Sequence, residues 1–323
     1  MTIDASLLAR AAAAAAGHQH HPAATLYVLA TPIGNLADIS LRAIHLLSLV
    51  DAVACEDTRV TGQLLRHLGL DKPLLAVHQH NEQQAAAQVL QRLAAGQRVV
   101  YASDAGTPGV SDPGAVLVAA ASAAGHRVLP LPGASAAITA LSVAGDAQAA
   151  GFRFVGFLPA KGQERAQALA RVLADADSQI LFEAPHRIEA LAAALAEAAP
   201  ARRLTLCREL TKQFETVATL EAGALPAWLA ADAQRTRGEF VLVLHAPPPV
   251  ALAEDGLPAD ALVLLQRLLP VLPLKQAAAL VAEHCGLPRK RVYQQALALK
   301  ADADDGDGDN DDAQAAATDD APA

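Results

Sequence analysis

The sequence predicts an α/β protein with two sheet domains, a parallel doubly wound sheet in the first and a mixed sheet in the second, plus a small C-terminal helix-turn-helix-like domain. Two observations predict this. From Thr25 onward, short apolar runs alternate with helical patterns, the order expected of parallel strands with helices on both faces. Three of the connections are rich in glycine and proline and follow strands, which is where open α/β sheets hold their ligands.

Taken in order, Leu26–Ala30 is the first strand, followed by the loop Thr31-Pro32-Ile33-Gly34-Asn35 and a helix over Ser40–Leu49. Ala52–Cys55 and a helix over Thr61–His67 come next, then Leu74–Val77 and the helix Glu82–Ala95. Arg98–Tyr101 opens the long loop SDAGTPGVSDPG, Ser103–Gly114, and an alanine-rich stretch over Ala115–Ala124 follows it. Arg127–Leu129 precedes Pro132-Gly133-Ala134-Ser135 and the helix Ala136–Val143.

Gly145–Gly151 reads as a hinge. Beyond it lie strands at Arg153–Phe157, Ile180–Phe182, Leu204–Cys207, Glu215–Leu220 and Phe240–His245, with helices from Gln163 and over Arg187–Ala198. The last two strands are close in sequence, which predicts antiparallel pairing. Ala246-Pro247-Pro248-Pro249 is a linker. Leu274–Cys285 and Arg289–Lys300 are helices joined by Gly286-Leu287-Pro288. The basic start of the second, Arg289-Lys290-Arg291, could meet phosphate, or the pair could be an ordinary helical hairpin. The expected divisions are a disordered extension over 1–24, domains over 25–145 and 146–246, a linker over 247–257, a helical domain over 258–300 and a disordered acidic tail over 301–323.

Composition narrows the function classes. Hydrophobic residues make up 53% of the 323-residue chain, ample for two cores, but aromatics only 3%, so alanine and leucine fill them. No apolar run reaches the ~18 residues of a membrane span. Three widely spaced cysteines, Cys55, Cys207 and Cys285, argue against a disulfide framework and for a reducing cytoplasm. The net charge of −9 comes from nine aspartates after residue 300, leaving 25 acidic against 25 basic residues before them. That tail matches no calcium-loop frame. Among Cys55, His78 and His80 a fourth zinc ligand is missing, and His18, His20 and His21 read as a solvated tail, so no metal site is expected.

The three Gly/Pro loops are expected to meet at the carboxyl edge of the first sheet and form one crevice. None is GxGxxG and no GxxxxGK[ST] occurs, which argues against a dinucleotide or P-loop site. Glu56-Asp57-Thr58-Arg59 follows the second strand and His78-Gln79-His80-Asn81-Glu82 the third. Acid, base and amide groups on one crevice edge suit substrate binding and proton transfer. Asp57 and Asn81 could equally be helix caps and Arg59 a surface ion pair.

The segments LYVLATPIGNLADISLRAI, CEDTR, HNE, SDAGTPGVSDPG and PGASA resemble the tetrapyrrole-methylase type of methyltransferase. FVGFLPAKGQER, FEAPHR, CRELTKQFE and GEFVLV are similar to its ribosomal RNA branch, over about Leu26–His245. The first loop, TPIGN, departs from the GxGPGD-like loop of the tetrapyrrole enzymes, which favours RNA. The resemblance implies a tetrapyrrole-methylase-like fold and S-adenosylmethionine bound between the two α/β domains of a homodimer. It also implies 2′-O-methylation of a cytidine in the decoding region of 16S ribosomal RNA, within the 30S subunit. The implied cofactor residues are Pro32, Gly34, Asp104, Ala105, Gly106, Pro108, Ser135 and Ala136. A ribose hydroxyl gains from a nearby base, and Glu56, Asp57, His80 and Glu82 are unranked candidates. Arg59, Asn81, His186 and Arg187 are candidates for holding RNA. The competing expectations are a small-molecule methyltransferase on the same fold and a non-catalytic RNA-binding assembly module.

Overall fold

The computed structural model describes residues 4–78, 81–248 and 257–305, in two compact units, Met1–Pro248 and Pro249–Ala323. The first sheet holds β1 (Thr25–Leu29), β2 (Ala52–Cys55), β3 (Leu74–Ala76), β4 (Val99–Ala102) and β5 (Arg127–Leu131), all parallel, in the order β3-β2-β4-β1-β5. Side chains alternate along a strand, and both faces of this sheet are packed. Tyr27, Val53 and Val100 meet α2 (Leu41–Leu49) and α3 (Thr58–His67) on one face. Leu26, Ala54, Val99 and Tyr101 meet α4 (Glu82–Ala94) and α5 (Ala115–Ala123) on the other.

The second sheet holds β6 (Phe152–Phe157), β7 (Ser178–Glu183), β8 (Arg203–Arg208), β9 (Thr216–Glu221) and β10 (Phe240–Leu244) in the order β6-β7-β10-β8-β9. Only β6 and β7 pair in parallel. β10 runs antiparallel to β7 and β8, and β9 antiparallel to β8. The expected antiparallel pairing is present, but β9 and β10 flank β8 instead of each other. Burial explains why. Every residue of β10 is buried, which suits the sheet centre, whereas β9 alternates between half-buried and exposed, which suits an edge.

One face of this sheet packs on α7 (Gly162–Ala174), α8 (Ile188–Ala198) and α9 (Leu225–Ala230). The other face, with Ile180, Cys207, Val241 and Val243, packs on Ala137, Ala140 and Ala144 of α6 (Ala136–Ala144). The helix that leaves the first sheet is therefore buried against the second, and small alanines permit the close approach. The second unit packs α10 (Ala259–Leu268), α11 (Leu274–Cys285) and α12 (Arg289–Asp305) around Leu265, Ala277, Val281, Val292 and Ala296.

The strand ends lie within two residues of expectation. The extension expected to be disordered over 1–24 is corrected: it contains α1 (Ala5–Ala16). Asp4 caps it, accepting the Ser6 N–H at 2.9 Å; Ala12 and Ala16 are buried, and Ala12 packs with the half-buried Leu8 against the α2 side of the core. Alanine has the highest helix propensity, and a small apolar stripe was enough to dock the helix. The tail expected to be disordered over 301–323 is corrected at its start, where α12 runs on to Asp305, and the rest of it lies outside the described residues. Among the described residues no helix is long and apolar enough to cross a membrane.

Candidate active site

β4, β1 and β5 are neighbours in the sheet, so the three Gly/Pro loops leave it side by side, and hydrogen bonds join them. Thr31 and Gly106 exchange backbone bonds at 2.9 and 3.0 Å. The Thr31 hydroxyl donates to the Ser103 carbonyl at 3.1 Å, and Thr107 donates to the Ala134 carbonyl at 3.0 Å. The second domain reaches this edge through the turn after β8. A Cβ on Gly34 would lie 2.6 Å from Lys212 Cγ and 2.9 Å from the Leu210 carbonyl, so only glycine permits that approach. Lys212 Nζ is itself held by Glu209 at 2.8 Å and Glu239 at 3.0 Å.

Between the two sheets lies a cleft of about 380 Å³. Ile33, Ala105, Gly106, Thr107, the segment 110–112, Ser135 and Ala136 form one wall. Phe157, Phe182, the segment 183–185, Leu210 and the segment 239–241 form the other. Of the expected cofactor residues, Ala105, Gly106, Ser135 and Ala136 line this cleft, and Pro32 and Gly34 flank Ile33, which does. Pro108 is buried within its loop. Asp104 turns to the neighbouring strand end, its Oδ1 accepting the Asp57 N–H at 3.0 Å.

The polar residues divide by their partners. Asp57 caps α3 and pairs with Arg59 at 2.6 Å; the Arg59 hydrogen bonds hold its carboxyl down at about 2. Asn81 closes a turn, accepting the His78 N–H at 2.8 Å and donating to the Ala76 carbonyl at 3.0 Å. Glu82 accepts the Gly114 N–H at 2.9 Å. Glu56 is half-buried, and burial raises its carboxyl above the usual range, helped by Asp104, Asp112 and Asp57. His80 lies outside the described residues. His186 is exposed on the short turn Pro185–Arg187. Arg187 lies 2.8 Å from the fully buried Glu183, which also pairs with Arg165 at 3.1 Å. Both arginines also donate to carbonyls of the segment 158–159.

Sequence reasoning passed over Asp112, and it named no cofactor residue on the second wall. Asp112 was legible as the acid closing the long loop. The residues of the second wall lie in the segments FVGFLPAKGQER, FEAPHR, CRELTKQFE and GEFVLV, but mostly as apolar side chains and backbone at strand ends, which carry no chemical signal of their own. Among the described residues, no group of three His, Cys, Asp or Glu side chains is placed to hold a metal.

The pattern of the family described as Tetrapyrrole (Corrin/Porphyrin) Methylases matches residues 25–226. The chain belongs to this family. A second pattern, the RsmI C-terminal HTH domain, matches residues 255–300. Within the tetrapyrrole methylases the chain falls in the branch of its curated relatives. It is 46% identical over 273 residues to ribosomal RNA small subunit methyltransferase I of Escherichia coli O157:H7, covering 84% of this chain and 94% of that one. It is 47% identical over 276 residues to the Pseudomonas aeruginosa protein of the same name, covering 85% and 97%. The solved structure of the methyltransferase CobJ shares the fold at TM-score 0.52 and 19% identity, over 68% of this chain and 93% of that one. Diphthine synthase shares it at 0.51 and 16%, over 68% and 89%.

The methyl donor of the tetrapyrrole methylases is S-adenosylmethionine. The cleft suits it: its volume is that of a small-molecule site and its lining is largely apolar. The start of α6, where Ser135 makes no side-chain cap bond, offers backbone N–H groups to an anionic group.

Proposed function

We propose that this chain is a cytoplasmic, S-adenosylmethionine-dependent methyltransferase that methylates the 2′-oxygen of a cytidine in the decoding region of 16S ribosomal RNA, acting as a homodimer on the 30S subunit. The observation that carries this reading is one cleft at the carboxyl edge of the first sheet, walled by the second, in a chain at 46–47% identity to ribosomal RNA small subunit methyltransferases.

When bound, S-adenosylmethionine supplies an electrophilic methyl group on a sulfonium. The residues that would hold it are Ala105, Gly106, Ser135 and Ala136, with Pro32, Gly34, Asp104 and Pro108 shaping the loops around them. The hydrogen bonds between those loops fix the wall before any ligand arrives. Aligning donor and acceptor in advance is worth up to roughly 7–11 kcal/mol in favourable systems. The apolar second wall excludes water from the donor. Arg289, Lys290 and Arg291 of the helical unit supply local charge for RNA phosphates, and His186, exposed next to the cleft-lining Pro185, offers a hydrogen-bonding ring.

The test supplies purified protein with methyl-labelled donor and, in parallel, 30S subunits, naked 16S RNA and a tetrapyrrole precursor. Digestion of the 30S RNA is expected to yield labelled 2′-O-methylcytidine. Label on a base, label on the tetrapyrrole alone, or none on either RNA would overturn the reading. Light scattering at micromolar protein is expected to give twice the mass of the chain.

A further inference from the structure

His21, expected to lie with His18 and His20 in a solvated tail, is built into the body between α1 and β1. Its ring is half-buried against α2, 5.5 Å from the His45 ring centroid and 6.3 Å from that of the buried Tyr27. The backbone on either side of that ring is held. The His21 carbonyl accepts Arg98 Nε at 2.9 Å, and the Pro22 carbonyl accepts the Tyr27 hydroxyl at 2.8 Å. Among the described residues, His21 Nε2 is buried without a hydrogen-bond partner.

The groups that act on this ring are cations or can become cations. Arg42 and His45 face it from α2, Arg98 from the start of β4 and His20 from its own segment, while β1 contributes only the Tyr27 phenol. Asp51 accepts the backbone N–H of Arg98 at 2.7 Å. Among the described residues, no carboxylate forms an ion pair with Arg42, Arg98, His20, His21 or His45. A neutral imidazole suits this place, since it packs as an aromatic ring. A protonated one carries N–H groups on both nitrogens, one of them buried without an acceptor, and an unpaired charge so placed is costly. Burial pushes the His21 imidazole below its ordinary range, and His45, Arg42, Arg98 and His20 push it further.

The ring and α1 dock on the same helix. Ala12 and Leu8 share a cluster with Ile44 and Leu47 of α2, and His45 is the residue next to Ile44. Only residues 17–20 separate the end of α1 from His21. Among the described residues, no hydrogen bond or ion pair ties α1 itself to the body, so its docking rests on that small apolar contact and on the segment that follows. We infer that His21 is an acid-sensitive latch: α1 stays docked on α2 while the ring is neutral, and protonation of the ring releases helix and segment together. The sign follows from linkage. The released ring takes a proton at about 6.5 and the docked ring only at lower pH, so acidification favours release.

The test follows hydrogen exchange at the backbone N–H groups of residues 5–16 in the full chain, corrected for the intrinsic pH dependence of exchange. For a single proton taken up on release, the opening of α1 is expected to rise about tenfold between pH 7.5 and pH 5.5. His21→Phe keeps an aromatic ring and removes the proton, and its α1 is expected to open by less than threefold over the same range. Arg42→Gln removes one of the repelling charges, and its rise is expected to fall between those two. The wild-type His21 ring, followed by NMR, is expected to titrate below about 6.5, and this measurement stands even if neither variant folds. An α1 whose protection is the same at both pH values overturns the latch. So does a tenfold rise retained in His21→Phe, and so does a His21 ring that titrates at or above the ordinary value in the wild type.

Discussion

Glu82 Oε1 accepts the Gly114 N–H at 2.9 Å, joining the first turn of α4 to the residue that caps α5. The bond spans 32 residues of sequence and closes the long Gly/Pro loop. Hydrogen bonds to charged groups contribute about 1.5–3 kcal/mol, and a buried donor left unpaired costs a similar amount. Glu82→Ala is therefore expected to lower unfolding stability by about 1–3 kcal/mol and to weaken donor binding, with Glu82→Gln intermediate. Urea titration and calorimetry check both. An unchanged midpoint in Glu82→Ala would show that the bond contributes nothing.

Gly114→Ala attacks the same loop from its other side. A Cβ there would lie 2.2 Å from Tyr101 Cε1, and φ is +126°. Backbone strain and overpacking each cost about 1–3 kcal/mol, so this substitution is expected to destabilise more than Glu82→Ala. Tyr101→Phe/Gly114→Ala should recover none of the loss, since the clash is with a ring carbon and not the hydroxyl. Thermal denaturation of the three variants checks the order.

These contacts show what the sequence could and could not disclose. Strand positions were legible because buried parallel strands such as Ala52–Cys55 are short unbroken apolar runs. Three helices escaped notice for different reasons. α1 is nearly all alanine and lacks a polar face, α9 is only six residues long, and α10 sits just beyond a proline linker. At the site, loop residues were legible from their glycines and prolines. Whether a carboxylate faces the cleft or caps a helix depends on rotamers and neighbours distant in sequence. For that reason the sequence does not show that Glu82 is spent on the Gly114 N–H while Asp112 lines the cleft.

Glu183 is fully buried between Arg165 and Arg187, 3.1 and 2.8 Å away, and it accepts the Ala184 N–H at 2.9 Å. Breaking a buried ion pair from one side typically costs about 3–5 kcal/mol, because the remaining charge is left unpaired. Glu183→Ala is expected to fall in that range and to loosen the segment 183–185 that walls the cleft. Arg187→Ala is expected to lower stability as well as RNA methylation. A stability unchanged by Arg187→Ala, with methylation alone reduced, would instead make it an RNA contact.

His245 is buried at the end of β10, its Nε2 2.9 Å from the Thr205 hydroxyl. Burial pushes its imidazole below the ordinary range, with Asp146 opposing and Arg203 and Arg202 assisting. His21 is shifted the same way, by burial and then by His45, Arg42, Arg98 and His20. Between the depressed folded value and about 6.5, the unfolded chain binds more protons than the folded one. Stability therefore rises with pH through that window and is lost on acidification. The melting temperature is expected to be lower at pH 5.5 than at pH 7.5, and His245→Gln should flatten the difference. A slope unchanged in that variant would assign the effect elsewhere.

α1 precedes the residues that the family pattern matches, which begin at residue 25, yet it is packed as core. Ala12 and Ala16 are its buried residues, and Ala12 packs with Leu8 into the cluster that contains Ile44 and Leu47. The chain after it is tied down twice. The Tyr27 hydroxyl donates to the Pro22 carbonyl at 2.8 Å, and Arg98 Nε donates to the His21 carbonyl at 2.9 Å. Removing residues 1–17 keeps both ties and strips the apolar cover from α2. At about 25 cal/mol per Å² of apolar area, a face of two alanines and part of a leucine is worth roughly 1–3 kcal/mol. The truncated chain is expected to lose that much stability by urea titration and to bind the methyl donor as the full chain does, because the three cleft loops leave the opposite end of the strands from Pro22 and Arg98. A truncation with full stability would return the segment to the role of an appendage. A truncation that loses donor binding would show that cover over α2 is felt at the carboxyl edge of the sheet.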